Sequence, residues 1–118
     1  MDRRKELKLA YKQNPPPMGV FQLKNKVSGK IFIGSSMNLP GKNNGLLFQL
    51  KTKSHYIKAL QQDWDLHGPA AFTFEILETL KTEELPKEAW RDALNELEEK
   101  WLNDLKPYGE RGYNKEKK

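Results

Sequence analysis

The sequence predicts one α+β domain, a small three-stranded antiparallel sheet flanked by helices. Three observations lead there. The chain has 118 residues, enough for one hydrophobic core but not for two. Three short segments, at residues 18–24, 30–35 and 71–80, have the apolar pattern of strands. Three longer ones, at 2–13, 55–67 and 86–106, place apolar residues at helical spacing.

Taken in order, residues 2–13 (DRRKELKLAYKQ) form a basic helix candidate. Asp2 is placed to cap it, and Leu7, Ala10 and Tyr11 share one face. Asn14 and Pro15-Pro16-Pro17 end it with a stiff linker, so residues 1–17 read as an arm before a domain over 18–114, with 115–118 a charged tail. MGVFQLK and KIFIGS are strands joined by the turn from Asn25 to Gly29, and their apolar residues on both faces imply cover on both sides. Pro40, Gly41, Asn43, Asn44 and Gly45 then fall within six positions, which predicts a loop around Lys42 with a helix recovering from Leu46. His55 to His67 reads as a helix with Ile57, Leu60 and Trp64 on one stripe, stopped by Gly68-Pro69. Phe72, Phe74 and Ile76 alternate in the third strand. The last helix, 86–106, carries Trp90, Leu94, Leu97, Trp101 and Leu105 toward a core. Trp64, Trp90 and Trp101 all lie on such stripes and read as packing residues.

Residues 1–58 hold 12 lysines and arginines against 2 acidic residues, whereas the remaining 60 hold 9 against 14. The basic half favours an anionic partner, nucleic acid first among them. Cysteine is absent, which excludes disulfides and thiolate chemistry. There is no membrane-length apolar run and no apolar N-terminal segment, so the expected location is cytoplasmic and no membrane partner is expected. On a helical wheel Glu98 falls inside the apolar arc of the last helix. A carboxylate there must be paired, metal-bound or neutral, or else sit at the rim and reach water.

Gly19-Val20-Phe21 followed by Phe32-Ile33-Gly34-Ser35-Ser36 resembles the paired strand motifs of the GIY-YIG nuclease family. His55, Leu60-Gln61, Gly68 and the run Phe72 to Glu78 resemble that family's middle segment; the Glu98-to-Trp101 spacing and Gly112-Tyr113-Asn114 resemble its end. The resemblance spans residues 18–114. It implies the three-stranded sheet and cleavage of DNA phosphodiesters with one divalent metal, with a tyrosine in each motif, an arginine on the following helix, a metal-holding glutamate and a supporting asparagine.

Carried over position by position, the two tyrosines correspond to Phe21 and Phe32, and a phenyl ring neither takes a proton nor orients a water. The arginine position falls on Lys42, which keeps the charge without the planar fork, and a common histidine position falls on Leu46. Glu98 matches the metal ligand, where Mg²⁺ would bind, and Asn114 matches the asparagine. The expected function is therefore that of a GIY-YIG endonuclease-like domain with lost or impaired phosphodiesterase activity. It would bind nucleic acid, DNA first, through Lys24, Lys26, Lys30, Lys51, Lys53, His55 and Lys58. An alternative is an active Mg²⁺-dependent endonuclease with a rewired site, rescued by Tyr56, Tyr113 or a hydroxide on Glu98. A second alternative is a protein-interaction module on the same scaffold.

Overall fold

In the computed structural model of the chain, residues 16–115 are described; the arm helix expected over 2–13 lies outside them. Strands β1 (Gly19–Asn25) and β2 (Ile31–Ser36) form an antiparallel hairpin, and β3 (Phe72–Thr79) pairs antiparallel with the other edge of β1. The central strand is thus the first in sequence. Asn25 builds the hairpin turn, its Oδ1 accepting from the backbone N–H of Val27 (3.0 Å) and Ser28 (3.3 Å), while Gly29 takes the left-handed φ of 81° that closes it.

The register sorts the side chains. Phe21 stands opposite Gly34 on one side and Ile76 on the other; Leu23 stands opposite Phe32 and Phe74. These residues share one face, and Phe21, Leu23, Phe32 and Phe72 pack there with leucines of the first two helices in one core. Val20 and Ile33, equally buried, point to the opposite face. There the third helix lies against β1 and β2, and Trp101 Nε1 donates to Glu78, the cross-strand partner of Val20. The sheet is covered on both sides, as its sequence implies.

The first of these helices corrects the sequence reading. Helix α1 runs from Leu39 to Lys51, straight through the segment expected to be a loop, and Lys42 sits in its first turns. Asn38 caps it, its Oδ1 accepting from Gly41 N at 3.1 Å, and Pro40 lies in the first turn, where no helical N–H is needed. Leu39, Leu46 and Leu50 recur on one side and are buried, while Gly41, Asn44 and Gly45 are left to solvent. Burial of three leucines outweighs a poor run of local propensities.

Helix α2 spans Lys58–His67, three residues shorter at its start than expected, and Gly68 (φ 84°) and Pro69 end it. Helix α3 spans Trp90–Leu105 after a 3₁₀ turn at Lys87–Ala89, and Lys106, at φ 46°, closes it before Pro107. Trp64 is buried against Phe72, and Trp90 donates its indole N–H to Leu85 O. No helix among the described residues is long and apolar enough to cross a membrane.

Candidate active site

The two motif phenylalanines come together on the α1–α2 side of the sheet. Phe21 is fully buried, stacked on Phe74 (ring centroids 5.0 Å apart) and edge-on to Phe32 at 6.1 Å. Its ring lies over Gly34, where a Cβ would come within 2.7 Å of Phe21 Cζ. The glycine of FIGSS therefore leaves room for the aromatic ring of the GVF strand. Both rings belong to the core, and neither offers a polar atom.

Phe32 in turn meets the edge of His55 at 5.9 Å, and His55 stacks on Tyr56 at 4.8 Å. His55 Nδ1 accepts the Ile57 N–H (3.1 Å), so the neutral ring carries its proton on Nε2, a buried atom without a hydrogen-bond partner among the described residues. Burial, and then the charge of Lys42, hold the imidazole below its ordinary range. Lys42 and His55, 13 positions apart in sequence, are thereby brought within electrostatic reach. Gln61 ties the corner, its Nε2 donating to Leu50 O at 2.9 Å.

The C-terminal segment closes the open edge of β2. Gly112 bridges Ile31, and Tyr113 N donates to Ile31 O (2.9 Å). The Asn114 carboxamide pairs with both backbone groups of Ile33, accepting from N (2.8 Å) and donating to O (2.7 Å). Asn114 thus sits beside Phe32 as one more rung of the ladder. The Tyr113 hydroxyl donates to Asp63 on α2 (2.6 Å) and accepts from the buried Asn25 Nδ2 (3.2 Å). Asp63 and Asn25 are missed by the sequence reading, because no local pattern links positions 25, 63 and 113.

Burial and the Asp63 hydrogen bond push the Tyr113 phenol up to about 12, which disqualifies it as a substitute base near neutrality. Folding favours its neutral form, so its contribution is intact below the ordinary value of 10 and is lost as pH rises from there through 12. The unfolding free energy from urea denaturation is expected to fall across that window, by at most about 3 kcal/mol. Tyr113→Phe should flatten the alkaline slope; an unchanged slope would show that Asp63 does not hold this phenol.

Glu98 lies in the other layer. It is half-buried on α3, at the rim of the apolar stripe, and among the described residues it has no hydrogen bond or ion pair. The neighbouring Lys100 is engaged with Glu78 at 3.1 Å. No group of three or more His, Cys, Asp or Glu residues among those described is arranged to hold a metal. The lysines divide between two places. Lys24, Lys26 and Lys30 lie at the hairpin turn, with the Lys30 ammonium 5.9 Å from the centre of the Tyr113 ring. Lys51, Lys53 and Lys58 surround the α1–α2 corner.

A central first strand, an aromatic from each hairpin strand on one face, a cationic side chain on the helix after the second strand, a carboxylate on α3 and an asparagine on the closing segment together define a nuclease-like domain of GIY-YIG-like fold. Two solved structures share it. The catalytic domain of homing endonuclease I-TevI is 28% identical with a TM-score of 0.68, the match covering 85% of this chain and 99% of that one. A glutamate-to-alanine mutant of the catalytic domain of intron endonuclease I-TevI is 26% identical with a TM-score of 0.68, over 83% and 92%. No protein-family model matches the sequence, and no curated protein matches it.

Proposed function

We propose that this domain binds nucleic acid through its basic half and has lost, or nearly lost, the hydrolytic step for which such a scaffold is suited. The observation that carries this reading is the pair Phe21 and Phe32. Hydrolysis of a phosphodiester needs a water deprotonated and aimed at phosphorus. At the two positions where the fold brings aromatic groups from the hairpin strands together, this chain has hydrocarbon rings sealed in its core. A missing acid–base group costs about 10²–10⁴-fold in rate. Lys42 still offers positive charge from an exposed helical turn, as a point charge rather than a bidentate fork.

The similar structures are described as catalytic domains of endonucleases, and this supports nucleic acid as the ligand class. Glu98 suits Mg²⁺, an ion commonly held by one or two carboxylates with water and substrate phosphate completing its shell. Its half-buried carboxylate is free of competing partners among the described residues. Such an ion, when bound, would supply charge neutralisation to a phosphate on the α3 side of the sheet, in the layer opposite Lys42. Lys42 and the corner lysines would hold the strand, and Asn114 keeps β2, and with it Phe32, in register.

The test is nicking of supercoiled plasmid with Mg²⁺ or Mn²⁺ against EDTA, with Glu98→Ala alongside and a gel shift at low salt. The expected outcome is a salt-sensitive shift and no nicking by either protein. Metal-dependent nicking that disappears in Glu98→Ala would instead establish an active enzyme with a rewired site. No shift with any nucleic acid would leave the scaffold to a protein partner.

A further inference from the structure

The corner between α1 and α2 carries two exposed aromatic rings that neither the core nor the active-site positions use. Tyr56 is 75% exposed and Phe48 67%. Tyr56 is the outer member of a short stack. One of its faces lies parallel to the His55 ring (interplanar angle 18°), His55 meets Phe32 edge-on, and the high exposure of Tyr56 leaves its other face to solvent. The stack is therefore anchored in the core at one end and open at the other. Phe48 stands on the last turns of α1. A Cβ built at Gly45, one turn back, would meet nothing within 4 Å, the Phe48 ring included, so the helix surface beside Phe48 is open.

The charge around these rings has one sign. No acidic residue occurs between Glu6 and Asp63, and exposed Lys51, Lys53 and Lys58 flank the two aromatics. Flat apolar surface surrounded by cations matches a polyanion that carries flat apolar groups. In a duplex the faces of the bases are covered by their neighbours and only phosphates and edges remain on offer. An unpaired base has a free face.

We propose that the α1–α2 corner binds single-stranded nucleic acid, with an unpaired base stacking on the outer face of Tyr56, a second contacting Phe48, and Lys51, Lys53 and Lys58 on the intervening phosphates. This rests on the nucleic-acid reading above and narrows it to unpaired segments, such as single strands, loops or frayed ends. Stacking is indifferent to base identity, so the corner selects strandedness rather than sequence.

The test is fluorescence anisotropy of the full chain at low salt with three labelled probes: oligothymidylate and oligouridylate of about 16 nucleotides, and a mixed-sequence DNA duplex of the same length. Both single strands are expected to bind about tenfold tighter than the duplex, and Tyr56→Ala should lose about tenfold on them while leaving the duplex unchanged. Tyr56→Phe keeps the ring and should bind as the parent does, which separates stacking from any loss of fold. An adenine analogue such as 2-aminopurine in the strand should be quenched by the parent and by Tyr56→Phe but not by Tyr56→Ala. Preference for one of the two strands would assign the ligand to DNA or to RNA. Equal affinity for strand and duplex, or strand binding untouched by Tyr56→Ala and Phe48→Ala, would overturn the stacking site and leave phosphate binding intact. No binding of any probe would overturn both.

Discussion

Gly34→Ala is expected to destabilise the domain by about 2–4 kcal/mol, although it adds a single methyl group to a strand. The new Cβ would lie 2.7 Å from Phe21 Cζ and 3.0 Å from Cε1. The ring has nowhere to retreat: it is fully buried, stacked on Phe74 at 5.0 Å and bounded by Phe32 at 6.1 Å. The backbone cannot yield either, since β1 is paired on both edges. Because the strain belongs to the pair, Phe21→Leu should lower the cost of Gly34→Ala, giving a favourable coupling in a double-mutant cycle followed by urea denaturation. Equal costs in both backgrounds would mean that Gly34 answers to something other than the ring.

Asn114→Ala should cost about 2–5 kcal/mol, more than an ordinary truncation on a surface segment. The carboxamide satisfies both the N–H and the C=O of Ile33, a residue only 1% exposed, on the outer edge of an edge strand. Removing it leaves two backbone groups without partners at the flank of Phe32. Asn114→Asp should do little better, because an oxygen would replace the nitrogen that faces Ile33 O. The specific readout is hydrogen exchange at the Ile33 amide, which should accelerate in both variants. Preserved protection with stability within about 0.5 kcal/mol of the parent would show that the clamp is dispensable. Asn114 would then have to be explained by the chemistry of the site.

These two variants bear on what the domain retains. Gly34 and Asn114 hold the two motif rings where the fold puts them, yet those rings have no hydroxyls. At the sheet these rings serve as packing, while Tyr56, Phe48, Lys51, Lys53 and Lys58 lie exposed at the α1–α2 corner.

The strands, the last two helices and their order were legible in the sequence, because alternating and helical apolar periods report directly which faces are buried. The strand motifs, Glu98 and Gly112-Tyr113-Asn114 were legible as a pattern for a similar reason: each combines residue types at fixed local spacing. Helix α1 was not. Local propensity argued against it at Pro40, Gly41 and Gly45, and what decided it was the burial of Leu39, Leu46 and Leu50 beneath a sheet whose other strand is still to come in the chain. The same holds for the Tyr113–Asp63–Asn25 network, the Asn114 clamp on Ile33 and the stack from Phe32 through His55 to Tyr56. Each joins residues far apart along the chain through one or two directional contacts. Periodicity encodes which face of an element is apolar. It does not encode which polar atom will meet which across a fold, and only the tertiary structure settles that, because such pairs form when packing has already fixed where the elements lie.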